Sequence, residues 1–258
     1  MQIIEHSIVG VRCAAIRLRR RGTALEFVVF PMLHVAMPSF YQEVTERLRR
    51  CDLLVVEGIV PDSHDAEGDE SHGDGQQAGE GSGVGSGVGS WALSALTATY
   101  RATAANRDSG LVEDDIAYGD LGVPVITPDL TERELGEGVR ALPLKTRVLV
   151  WGATPLAAVG NYFNGRQRLL SRDIEVNDLP SAAEELESDD IGAFRELFLG
   201  RRDERVLTAL AELYESRAGE ALRVGVVYGG AHVPGIVHGL SRLGYRAVDA
   251  EWLTAVEA

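Results

Sequence analysis

The stretch that most constrains the fold lies near the end of the chain: Arg223–Asp249, RVGVVYGGAHVPGIVHGLSRLGYRAVD. An apolar run, Arg223–Tyr228, meets a glycine-rich turn, GGAHVPG. A helical stretch follows at Ile236–Leu243, and Gly244 stands where a helix C-cap is expected. A second strand-like run, Tyr245–Asp249, closes the unit. Strand, turn, helix and strand in this order predict a βαβ crossover, and hence an α/β protein with parallel strands.

The remaining patterns agree. Val11–Leu18 and Ala24–Phe30 flank the short basic turn Arg19–Gly22 and predict a β-hairpin. Pro38 or Ser39 is positioned to begin a helix, whose apolar face is Phe40, Val44 and Leu48. Leu53–Glu57 (LLVVE) is nearly continuous in apolar residues, which suits a buried parallel strand. Val123–Thr127 reads as a strand and Thr131–Val139 as a helix capped by Thr131. Trp91–Arg107 is Ala-rich and reads as a helix. Arg147–Trp151 suits either a strand or a helix start. Thr154–Leu199 is mostly helical with a break near Asp178–Pro180, Glu184–Asp190 reads as a solvated acidic face, and Arg202–Ala218 is helical. The expected architecture is one α/β domain over residues 1–258, with a mixed, largely parallel central sheet, flanking helices and a helical middle region. Asp62–Ser90, rich in Gly, Ser and acidic residues, reads as a disordered insertion in a surface loop.

Charge and composition exclude several classes. The formal net charge is −14 over 258 residues, which disfavours binding to phosphate backbones. Seven acidic residues lie between Asp62 and Ser90 with no Lys or Arg, and removing them still leaves −7. No apolar run approaches the ~18 residues of a membrane span. The first residues, MQIIEHSIVG, lack the basic and apolar regions of a secretory signal. Cys13 and Cys51 form no C-x-x-C pair and cannot staple a chain of this size, so a reducing, cytoplasmic setting is expected.

Two sequence-distant segments share one plan. VVFPMLH leaves a strand and reaches His34 just before a helix; VVYGGAH does the same and reaches His232. Residues just past the carboxyl ends of parallel strands line the crevice of such sheets, so both imidazoles are expected to face one cleft, with Gly229 and Gly230 allowing the second chain to turn sharply. Glu57 ends its strand in the same manner. Two histidines and carboxylates suit either a divalent metal ion or metal-free acid–base chemistry. Taken singly, a His at a strand end is more often an ordinary hydrogen-bonded surface or core residue than a ligand, and Glu57 is as readily a capping or salt-bridge group. His64 and His72 read as solvated, and His6 and His238 as structural.

FPMLHVAMPSFYQEVTERLRRCDLLVVEGI resembles the N-terminal motif of the TraB/PrgY/GumN family, relatives of the Tiki metalloproteases: G-x-x-H, a helix, then an apolar strand ending in Glu. RRDERVLTALAEL followed by RVGVVYGGAHVPGIVHGLSRLGYRAV resembles its second half, and EDDIAYGDLGVPVITPD its middle. The resemblance implies an intact G-x-x-H at Gly229–His232 and a degenerate one at His34, where Pro31 takes the glycine position. It implies Glu57 as the acidic strand end, Arg202 as the Arg of an Arg-Asn pair with Asp203 in place of Asn, and Asp129 where the family has Glu.

By this resemblance the chain is expected to be a metal-dependent hydrolase, foremost a peptidase. His34, His232, Glu57 and Asp129 would hold Mn²⁺, Co²⁺ or Zn²⁺, while Glu57, Arg202 and Asp203 serve the reaction. The ion would acidify a water and polarise the scissile carbonyl, and Arg202 would meet the developing oxyanion. Two alternatives stand beside it. One is a peptide-binding or regulatory protein that keeps the fold without turnover, as in pheromone control. The other is a small-molecule esterase, since the wider superfamily includes erythromycin-esterase-like and haem-binding ChaN-like proteins. The expected partner is a peptide or small-molecule substrate.

Overall fold

The computed structural model describes residues 1–60, 98, 100–171, 174–178, 192, 193 and 195–258. In chain order the strands are β1 (Gln2–Ser7), β2 (Gly10–Arg19), β3 (Glu26–Met32), β4 (Val35–Ala36), β5 (Leu53–Val56), β6 (Val112–Glu113), β7 (Val125–Ile126), β8 (Val176–Asn177), β9 (Arg223–Gly229) and β10 (Arg246–Glu257). The helices are α1 (Pro38–Leu48), α2 (Glu132–Ala141), α3 (Leu144–Leu169), α4 (Arg201–Arg217) and α5 (Val233–Arg242).

An eight-stranded mixed sheet is ordered β7-β5-β9-β3-β2-β1-β8, with β10 also paired to β2. Its centre, β7-β5-β9-β3, is parallel. β5 is buried at every position, which explains its unbroken apolar sequence: a strand covered on both faces has no polar side to show. The expected hairpin is β2 and β3, antiparallel, with Gly22 in its turn at φ 81°. Helix α1 begins with Pro38 in its first turn and buries Phe40, Tyr41, Val44 and Leu48. Thr131 forms a full capping box with Glu134 at the start of α2. The α1 face packs with the sheet in one core, while Leu135 and Val139 of α2 join Leu130, Leu142 and Leu197 in a small second cluster.

The closing crossover departs from expectation in where it lands. β10 runs antiparallel to β2, β2 antiparallel to β3, and β3 parallel to β9. So β10 shares the direction of β9 but lies beyond β3 and β2. A crossover motif specifies strand direction and leaves the choice of neighbour to tertiary packing. β10 is also longer than the expected Tyr245–Asp249 run, continuing to Glu257 along the full length of β2. Arg147–Trp151 lies inside α3 and is not a strand. β1 and β8 were not anticipated. The insertion at Asp62–Ser90, the acidic stretch Glu184–Asp190 and the first part of the Trp91–Arg107 helix lie outside the described residues; 100–105 is helical. No helix among the described residues is long and apolar enough to cross a membrane.

Candidate functional site

The parallel strands end on one edge of the sheet, and the chain just past those ends supplies the chemistry. Glu57 follows β5, Asp129 follows β7, and His232 follows β9 as the N-cap residue of α5. Arg202 and Asp203 come from the first turn of α4. Neighbours on a helix point about 100° apart, so this pair serves two targets.

Arg202 faces the carboxylates. Its Nε and Nη2 donate to Asp129 Oδ1 at 2.8 Å and Oδ2 at 2.6 Å, a bidentate pair. Nη2 also lies 2.8 Å from Glu57 Oε1. Asp129 further accepts from the backbone N–H of Leu130 at 2.7 Å and of Gly58 at 3.2 Å, and its side chain is 0% exposed. Asp203 faces the histidine, with Oδ1 2.6 Å from His232 Nδ1. His232 Nε2 then lies 3.5 Å from Glu57 Oε1. Glu57 Oε2 accepts from the Gly229 N–H at 2.6 Å.

The network sets its own protonation. Burial acts to raise the Glu57 carboxyl, but His232, the Arg202 charge and the Gly229 amide outweigh it and hold the group well below the usual carboxylate range. Burial acts to lower His232, but Asp203 and Glu57 prevail and push it up to about 9. At neutral pH His232 is therefore an imidazolium between two carboxylates. Desolvation opposes the Arg202 charge, yet Asp129 and Glu57 hold it firmly protonated.

Glycine has a different role here from the expected one. The described glycines with positive φ are Gly10, Gly22, Gly110, Gly122 and Gly244, so Gly229 and Gly230 need no left-handed backbone. They serve close approach: a Cβ at Gly229 would sit 3.1 Å from Glu57 Oε2, and one at Gly230 would sit 2.3 Å from the Ile4 side chain. The same holds at Gly235 in α5, where a Cβ would sit 2.4 Å from Asp203 Oδ2. VPG, read only as part of a turn, is what lets Asp203 reach His232.

His34 stands apart. It is exposed in a bend between β3 and β4, its ring 4.6 Å from that of Tyr100. β4 pairs with β6, which brings Asp114 beside it: the Asp114 N–H donates to the His34 carbonyl at 3.1 Å, and Tyr118 Oη donates to Asp114 Oδ2 at 3.3 Å. Burial raises the Tyr100 and Tyr118 hydroxyls, and the nearby Glu57 charge adds to both effects. This aromatic group borders the Glu57 network, but among the described residues no hydrogen bond or ion pair joins His34 to it. Single residues such as Tyr100, Asp114 and Tyr118 carry no periodic or motif signal, which is why sequence reasoning missed them.

The expected metal set of His34, His232, Glu57 and Asp129 does not fit this geometry. Asp129 is wholly buried, with both oxygens taken by Arg202 and by backbone amides, so it has no lone pair turned toward an ion. Arg202 occupies the space between Asp129 and Glu57. Among the described residues no group of three or more His, Cys, Asp or Glu is arranged to hold a metal ion. What the structure brings together is Glu57, Asp129, Arg202, Asp203 and His232.

No protein-family model, no curated protein and no solved structure matches the chain.

Proposed function

We propose that the chain is a hydrolase of a carbonyl substrate, foremost a peptide bond, in which the His232 imidazolium handles the proton. The observation that carries this reading is the 3.5 Å separation of His232 Nε2 from Glu57 Oε1. The contacts that Arg202, His232 and Glu57 otherwise make in the network are 2.6–2.8 Å; this one is long for a hydrogen bond. Both partners are held from behind, His232 by Asp203 and Glu57 by Arg202 and Gly229, leaving a loose joint between two charged groups. Buried ion pairs contribute little net stability, and strongly shifted groups past strand ends are characteristic of working sites.

In this reading Glu57 is too weak a base to drive the reaction. It keeps His232 charged and orients a water. The water oxygen attacks the carbonyl carbon, the bond to the leaving group breaks, and His232 Nε2 gives its proton to that group. The proton released by the attacking water then passes to the neutral imidazole and restores the imidazolium. The resemblance to the TraB/PrgY/GumN family supports hydrolysis as the reaction class. The metal-dependent form of that chemistry is tested as an arm of the experiment.

A second reading, peptide binding without turnover, is favoured by the mutual satisfaction of Arg202, Asp129 and Glu57. The deciding experiment is hydrolysis of a peptide and ester panel by the purified chain, with and without Mn²⁺, Co²⁺ or Zn²⁺, beside His232→Ala and Asp203→Asn. Turnover that falls as pH rises through about 9, and that is lost in His232→Ala, supports the hydrolase. A stoichiometric peptide complex with no product supports binding. Turnover unchanged in His232→Ala sinks the proposed mechanism.

A further inference from the structure

A second cluster of charged side chains lies at the opposite end of the parallel strands. Arg223 opens β9, whereas Gly229, which holds Glu57, closes it. Seven residues of strand separate the two ends by about 20 Å. Around Arg223 a cleft of about 230 Å³ is lined by Arg17 from β2, Arg47 from α1, and Arg50 and Cys51 just after it. Val28 and Phe30 of β3 supply apolar wall. Four guanidinium groups in one cleft stand out in a chain of net charge −14.

Asp249 and Glu251 also line the cleft, and together with Glu26 they offset only part of this charge. Arg47 is paired to Glu251 through Nε at 2.9 Å and Nη2 at 2.5 Å. Arg223 Nε donates to Glu26 at 2.6 Å, and Glu26 is shared with Arg19. Arg17 reaches Asp249 through a long contact of 3.3 Å at Nη2, while its Nε is buried with no acceptor. Arg50 has no ion pair among the described residues; it acts on Glu251 only through its field. A buried N–H without an acceptor is costly to maintain, and it lies in the same cleft as an uncommitted guanidinium.

We infer that this cleft binds a small oxyanion carrying a compact apolar body, with Arg17 and Arg50 gripping the anion and Phe30 and Val28 packing the body. Guanidinium forks recognise carboxylate and phosphate alike, and the cleft volume suits a ligand of about ten heavy atoms. Because the arginines of the cleft sit toward the start of β9, and none of them belongs to the Glu57 network, the site does not depend on the hydrolase reading.

The test is isothermal titration of the full chain with phenyl phosphate, benzoate and inorganic phosphate. Phenyl phosphate or benzoate is expected to bind with a Kd on the order of 1 mM or tighter, and whichever binds more tightly identifies the anion. Inorganic phosphate, without an apolar body, is expected to bind more weakly. Arg50→Ala, which breaks no ion pair, is expected to weaken binding about tenfold or more, and Arg17→Gln to act similarly. His232→Ala is expected to leave the titration unchanged. Absence of binding by all three probes overturns the inference. So does binding that survives both arginine substitutions, and so does binding abolished by His232→Ala, which would place the anion at the other end of the sheet.

Discussion

The two strand–histidine junctions invite comparison, because their sequences are parallel and their structures are not. After β9 the chain enters α5 within a few residues, so His232 sits at the helix N-terminus with its ring buried against Tyr228 at 5.8 Å. After β3 the chain makes a bend at His34, adds the two-residue strand β4 and only then begins α1 at Pro38. The register is also offset. Pro31, the residue at the motif's glycine position, pairs with Tyr228, and it is Met32 that lies opposite Gly229. One junction thus delivers an imidazole into a buried charge network, and the other delivers it to an exposed, tilted contact with Tyr100. Similar short motifs do not guarantee similar destinations when the chain leaves one strand a residue later.

The largest expected difference comes from the guanidinium behind the first junction. Arg202→Met strands the fully buried Asp129 carboxylate and should cost about 3–5 kcal/mol, on the order of 10 °C in Tm. A thermal melt showing a loss under ~1 kcal/mol would break the view that this network is tightly coupled. His232→Ala should lower hydrolysis by about 10²–10⁴-fold, measured as kcat/KM on the best substrate found. His34→Ala, by contrast, should lower it far less.

The pH dependence sharpens the same contrast. His232 is raised in the folded chain to about 9 from the ordinary histidine value of about 6.5. Its contribution to stability is therefore complete below about pH 6.5, declines as pH rises, and is gone above about 9. Urea midpoints measured from pH 6 to 10 should fall across that window in the wild type and fall less in His232→Gln. Glu57, held low, contributes in the opposite sense, with stability lost as pH drops below the ordinary carboxylate range. A subtler substitution is Gly235→Ala. Its Cβ displaces Asp203, so the His232 midpoint, followed by NMR titration, should move down from about 9. An unmoved midpoint would show that Asp203 is not what holds the ring. The smallest effect belongs to His34→Ala, whose exposed ring should change stability by no more than about 0.5 kcal/mol.

Local signals carried much of the fold. The apolar runs of β3, β5 and β9, the amphipathic face of α1 and the Thr131 cap all depend on interactions within a few residues, and each is legible one stretch at a time. Candidate site residues were legible where they ended a strand, as at Glu57, or sat in a glycine-rich turn, as at His232. Their roles were less so. The family resemblance makes Asp129 a metal ligand, and no local pattern records that Arg202, 73 residues away, takes up its carboxylate. Gly229 and Gly230 were read as turn formers, although the side chains that crowd them, Glu57 and Ile4, come from distant parts of the chain.

The sequence by itself determined an α/β protein with parallel strands, a hairpin near its start and a strand–helix–strand unit near its end, because hydrophobic period and turn chemistry are local properties. Tertiary structure alone decided that β10 crosses two strands to pair with β2, that Arg202 fills the space between Glu57 and Asp129, and that His232 and not His34 enters the network. These outcomes depend on strand neighbours, register and the pairing of buried charges, each of which compares residues far apart in the chain.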